Sequence, residues 1–198
     1  MSTEKTLFDD QVNSLRTLSS IYEFMQQNAI HMDSDALLRA EYVLLVSSFD
    51  NYIHNIVRRK IGEDFFASRS LSNDLCISIE VFQLMRQDGT ESGQRSLLDS
   101  YLNKLLSKDS FQSPKSVEYA LGLIGINRIW SGVASSFGDT AENIKNRLAL
   151  IVQRRNQIAH EADVDSSTGI ARSISIATVK DCRIFFQTFV NAIDVQIV

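Results

Sequence analysis

The stretch QRRNQIAHEAD, residues 153 to 163, places Arg154, Arg155, Asn156 and His160 within two helical turns. Arginine stays charged and offers a fork of donors that fits phosphate or carboxylate oxygens. Histidine gives or takes a proton near neutral pH. Upstream, Ile144, Leu148, Ile151 and Val152 recur at the three-and-four spacing of an amphipathic helix, and the next position on that apolar face is Arg155. Burying an unpaired guanidinium is costly, so the position points to a dedicated anionic partner or to an edge that opens on a cleft. On an ideal helix Arg155 and His160 stand about 140° apart. They serve one site only if the last turn is distorted, or if two chains each contribute.

A second polar line breaks an apolar face earlier in the chain, where Asp50, His54 and Arg58 are spaced by four. An acid four residues ahead of a histidine can accept its N–H and fix its tautomer. One reading is a solvated row of ion pairs; the other is a line that faces the motif helix, with Asp50 or His54 helping to hold Arg155. Glu161, Asp163 and Asp165 follow His160, but their spacing fits no ligand motif. They read as a solvated loop, and neither a metal nor any other cofactor is expected.

The elements that must carry these residues are helices. The 198-residue chain has one proline, eight glycines, 44% apolar and 22% charged residues, a balance that disfavours sandwiches and barrels. A chain of this length reads as one domain. The first helix is expected over about 5–28, with Leu7, Val12, Leu15, Leu18, Tyr22 and Met25 as its stripe. The second begins after Asp33 or Ser34 and stops near Gly62, with Leu38, Tyr42, Leu45, Phe49, Tyr52, Ile53 and Ile56 on one broad face. ISIEVFQLMR reads as helix although Ile77, Ile79 and Val81 alternate, RQDGTESGQR as a loop, and SLLDSYLNKLLSKD as a short helix. Ser113 caps a helix that starts with Pro114, and INRIWSGVASSFG forms another that ends at Gly138. Asp139 and Glu142 have capping-box spacing for the motif helix, and the last helix starts near Ser175 or Thr178. The fold class is all-α: a single helical bundle of about six to eight helices with no sheet.

Cys76 and Cys182 are too few for a disulfide framework and read as reduced core thiols. The acidic N-terminal stretch has no signal-peptide pattern, and no window is long enough to cross a bilayer, so a cytoplasmic protein is expected. A net charge of −4 argues against a protein that coats nucleic acid indiscriminately, but leaves room for a small basic site.

An arginine four to six residues ahead of a histidine is a weak pattern by itself. Three histidines and 13 arginines in 198 residues give roughly 0.6 chance matches over three spacings. Helix-end arginines beside a surface histidine are the plain alternative. However, RRNQIAHEAD resembles the signature of the HEPN superfamily: arginine, often a polar residue directly after it, then histidine after a gap of four to six residues. LLRAEYVLLVSSFDNYIHNIVRRKI is similar to the second helix of its RiboL-PSP branch, and SPKSVEYALGLIGINRIWSGVA and TVKDCRIFFQTFVNAID to later helices of that branch.

The resemblance implies one HEPN-like domain over 1–198, with 67–110 as a variable helical insertion, and a metal-independent endoribonuclease built from two chains. It assigns charge stabilisation at phosphorus to Arg155, acid/base work to His160 and phosphate orientation to Asn156. Arg154, Arg58, Asp50 and His54 are supporting or substrate-contacting candidates. It further implies RNA as the target, a homodimer with the motif at the subunit interface, and a setting in defence, stress or toxin–antitoxin control with an antitoxin or regulatory protein as partner. The alternative function is a non-catalytic HEPN module that binds RNA, a nucleotide or a protein. A plain helical scaffold leaves Arg155 without a purpose.

Overall fold

Apolar residues at helical spacing and a scarcity of breakers produce eight helices in the computed structural model, which describes residues 1–30 and 32–197. They are α1 (Thr3–Gln27), α2 (Asp35–Phe66), α3 (Ile79–Asp88), α4 (Glu91–Leu106), α5 (Pro114–Gly122), α6 (Ile129–Phe137), α7 (Ala141–His160) and α8 (Ile176–Ile197). Among the described residues the only extended pairing is one isolated bridge, Val164 with Ala171. The fold is all-α and has no sheet. No helix is long and apolar enough to cross a membrane among the described residues.

The chain divides into two compact units, Met1–Tyr52 with Trp130–Val198, and Ile53–Ile129. In the first unit, α8 supplies the aromatic core. Phe186 stacks on Phe49 of α2 at 4.7 Å, and Phe189 meets Phe49 and Trp130 edge-on at 5.3 and 5.7 Å. Helical spacing along the last helix predicts Val179, Cys182, Phe185, Phe186, Phe189, Val190 and Ile193 as its apolar residues, and all are buried, as are the seven named on the broad face of α2. On α1 the expected stripe holds at Val12, which is buried, and at Leu15, Leu18, Tyr22 and Met25, which are half-buried, but Leu7 is exposed and Phe8 is buried instead, against Tyr52 at 6.0 Å.

One polar contact runs through this core. Glu41 of α2, fully buried, accepts hydrogen bonds from Ser19 of α1 and from the buried Arg183 of α8. A carboxylate and a guanidinium that leave water together offset part of each other's desolvation.

In the second unit α2 does not stop at Gly62. A helix-interior glycine costs about 1 kcal/mol relative to alanine, but the extra turn brings Phe65 to 5.8 Å from Phe82 and puts Phe66 under Arg95 at 4.3 Å. The loop expected over RQDGTESGQR shrinks to two residues. Gly89 takes a left-handed φ of 69° as the cap of α3, and Thr90 already caps α4 by accepting from the Gly93 amide. ISIEVFQLMR is helical from Ile79, and Cys76 lies exposed in the irregular stretch before it rather than in a core. Ser113 caps α5 with Pro114 at its first position, as the sequence predicts, and Ser116 completes a reciprocal capping box with Ser113.

Candidate functional site at the end of α7

Helix α7 carries the motif. Its N-cap is Thr140, not Asp139: the Thr140 hydroxyl accepts from the Asn143 amide at 3.2 Å. Asp139 instead accepts from Asn143 Nδ2 and from the Thr140 amide, each at 2.7 Å. These bonds, the side-chain one first, hold its carboxyl below the ordinary range. Ile144, Leu148 and Ile151 form the buried stripe. One turn further, Arg154 and Arg155 are half-buried, and Asn156 and His160 are exposed.

The two arginines are used differently. Arg154 donates from both terminal nitrogens to the carboxylate of Asp163, the Nη2 bond measuring 2.9 Å, and Nη2 also reaches the Ser173 carbonyl at 3.0 Å. Arg155 has one hydrogen bond among the described residues, from Nη1 to Asn156 Oδ1 at 3.1 Å. Its Nε is buried and meets no acceptor there. Buried donors are nearly always paired in native structures, so this guanidinium retains capacity for an anion that the chain itself does not supply.

α7 remains regular through His160, so the distortion that would swing Arg155 and His160 onto one face is missing. No hydrogen bond to the His160 ring occurs among the described residues. Directly after it the backbone turns sharply. Ala162 and Asp163 both adopt left-handed φ values, 50° and 58°, unusual for residues with a Cβ.

Sequence reasoning treated Asp163 as part of a solvated loop, and the structure corrects this: Asp163 is fully buried. Besides Arg154 it receives Arg39 Nε from α2 at 2.7 Å, and Arg39 Nη2 also donates to the Arg172 carbonyl at 3.0 Å. The Asp163 amide donates to Gln157 O at 3.0 Å, and its carbonyl accepts from the Arg172 amide at 2.7 Å. Arg172 Nη1 in turn reaches Val164 O at 2.7 Å and Glu161 at 3.4 Å. Asp165 does stay at the surface of the loop. The Ser167 hydroxyl, followed by the Ser167 and Thr168 amides, lowers its carboxyl pKa.

Arg39, Asp163 and Arg172 therefore belong to this end of the unit, although nothing in their local sequence groups them. The only available hint was an arginine directly beside Leu38 on the buried face of α2. Arg154, expected as a substrate contact, is committed internally. Glu161, Asp163 and Asp165 do not converge, and no cluster of three or more metal-ligating side chains occurs among the described residues.

Of the other line, Asp50 lies half-buried on α2 in the first unit. His54 and Arg58 belong to the second unit. There the His54 ring sits 4.4 Å from Phe111, and Arg58 bonds Asn103 at 2.7 Å, Asp99 at 2.9 Å and Asn55 at 3.1 Å.

These features define an all-helical protein with an under-used arginine and an exposed histidine five residues apart at the end of one helix. A family model described as RiboL-PSP-HEPN matches residues 9–198, and the chain belongs to that family. Comparison with curated proteins and with solved structures returns no match.

Proposed function

We propose that the chain is a metal-independent endoribonuclease. The observation that carries this reading is the unequal use of adjacent arginines: Arg154 is saturated by Asp163, while Arg155 keeps a buried Nε without an acceptor. Four arginines (Arg39, Arg154, Arg155 and Arg172) gather at this end of the unit with three carboxylates, Glu161, Asp163 and Asp165. The local balance is basic in a chain of net charge −4, which suits a phosphodiester.

Cleavage without a metal uses the RNA's own 2′-hydroxyl. A base removes its proton as the oxygen attacks the adjacent phosphorus. An acid then protonates the departing 5′-oxygen, leaving a 2′,3′-cyclic phosphate on one product and a 5′-hydroxyl on the other. Arg155 stabilises the charge that grows on the phosphorane oxygens, and Asn156, bonded to it, holds its orientation. His160 performs proton transfer. One chain supplies a single motif histidine on the opposite side of a regular helix from Arg155, so a homodimer supplies the second histidine and the second arginine in a shared groove. Each proton-transfer role is worth about 10²- to 10⁴-fold, and one charge-stabilising donor about 3 to 4 kcal/mol.

The test is cleavage of labelled RNA, with chelator present, by wild type, Arg155→Ala and His160→Ala. Both variants are expected to lose cleavage while keeping helicity and solution mass. Full activity in both refutes the assignment. The net acidity favours one second reading, a non-catalytic module that binds RNA, a nucleotide or a protein; a wild type that retards RNA in a gel but never shortens it selects that reading. Family membership supports a role in defence, stress or toxin–antitoxin control with a regulatory partner.

A further inference from the structure

We infer that Asp163 is a positioning residue, the centre of a clamp that fixes His160 relative to Arg155; the inference rests on the nuclease reading above. A residue that ends a helix in solvent normally frays, and a ring exposed like that of His160 has nothing of its own to hold it. The chain beyond it compensates. Asp163 lies three residues after His160, and its partner Arg154 lies one residue before Arg155, so the clamp closes on both ends of the motif.

Its reach is wider than one loop. The buried carboxylate takes donors from α2 through Arg39 and from α7 through Arg154. These same guanidiniums also hold the returning segment at the Arg172 and Ser173 carbonyls. The backbone of Asp163 adds two bonds, to Gln157 and from Arg172. Left-handed φ values at Ala162 and Asp163 persist only where the surroundings over-determine them, and here α2 and α7 hold the Asp163 side chain while the segment at Arg172 holds its backbone carbonyl. Lysine in place of Arg39 keeps a charge but cannot bond Asp163 and the Arg172 carbonyl from one rigid fork. Asparagine in place of Asp163 keeps the shape but presents an amide N–H₂ towards two guanidiniums that can only donate.

The experiment compares wild type, Asp163→Asn and Arg39→Lys. Steady-state RNA cleavage gives kcat and KM, and the imidazole carbon-bound proton of His160 is followed by NMR. In Asp163→Asn, kcat is expected to fall about 10²-fold, the loss that follows a displacement of about 1 Å at a reacting group. KM for RNA changes little, because Arg155 still meets phosphate, and the His160 signal shifts or broadens while core aromatic signals stay in place. Arg39→Lys gives the same pattern with a smaller loss, and it decides the matter if Asp163→Asn does not fold. A folded variant with wild-type kcat and an unchanged His160 signal overturns the clamp. If wild type cleaves no RNA, the nuclease reading falls, while the NMR comparison still decides whether Asp163 orders the histidine.

Discussion

Arg154 and Arg155 are neighbours with the same side chain, yet truncating each should affect stability very differently. Arg154→Ala removes two hydrogen bonds from a fully buried carboxylate and one from the Ser173 carbonyl. Breaking a buried ion pair typically costs about 3–5 kcal/mol. Here Arg39 stays on Asp163, and the Arg154 side chain is 17% exposed, so a cost below that range, about 2–3 kcal/mol, applies. At about 2–4 °C per kcal/mol for a chain of this size, the melting temperature should fall by about 4–12 °C.

Arg155→Ala removes one bond to an exposed asparagine and a buried nitrogen that has no acceptor. Its effect on stability should stay within about 1 kcal/mol. Cleavage in Arg155→Ala should nevertheless fall about 10²- to 10³-fold, the worth of one charge-stabilising donor. Thermal melts followed by circular dichroism, with single-turnover cleavage on the same samples, test both halves. The reasoning fails if Arg155→Ala is the less stable protein, or if Arg154→Ala melts like wild type.

Other expectations concern the core. Glu41→Leu leaves the buried Arg183 without its carboxylate and should destabilise by about 3–5 kcal/mol in denaturant titration, whereas adding Arg183→Met should recover most of that loss. Burial pushes the Cys182 thiol up to about 12, and burial likewise raises Tyr42, its hydrogen-bond partner. An acid whose folded pKa is raised stabilises fully below its unfolded value and loses that contribution as pH climbs towards the folded one. Unfolding free energy should therefore decline from about pH 9 upward, and Cys182→Ala should flatten the decline. In native protein at pH 8 an alkylating reagent should label the exposed Cys76 and spare Cys182 until denaturant is added; equal labelling of both would contradict the packing.

What the sequence made legible was what periodicity controls. The faces of α2 and α8 follow from apolar spacing alone, because a helix with so wide a stripe has one way to bury it. Helix ends were harder, since they depend on partners distant in the chain. Gly62 looked like a stop until Phe65 and Phe66 found Phe82 and Arg95, and Thr140 displaced Asp139 as a cap because Asp139 was free to accept from Asn143.

The site divides along the same line. Arg155 and His160 are visible because one breaks an apolar stripe and the other ends the helix that carries it. Asp163 was not visible, because an acidic residue among Glu161, Asp165 and small polar residues carries no local mark of burial. Its burial is created by Arg39, 124 positions earlier in the chain, and by an arginine that reads locally as half of a basic pair. The motif thus names the groups the proposed chemistry needs, while the buried carboxylate inferred to position them emerges only when α2, α7 and the returning loop meet. If that proposal holds, a variant scan confined to the motif finds Arg155 and His160 and misses Asp163.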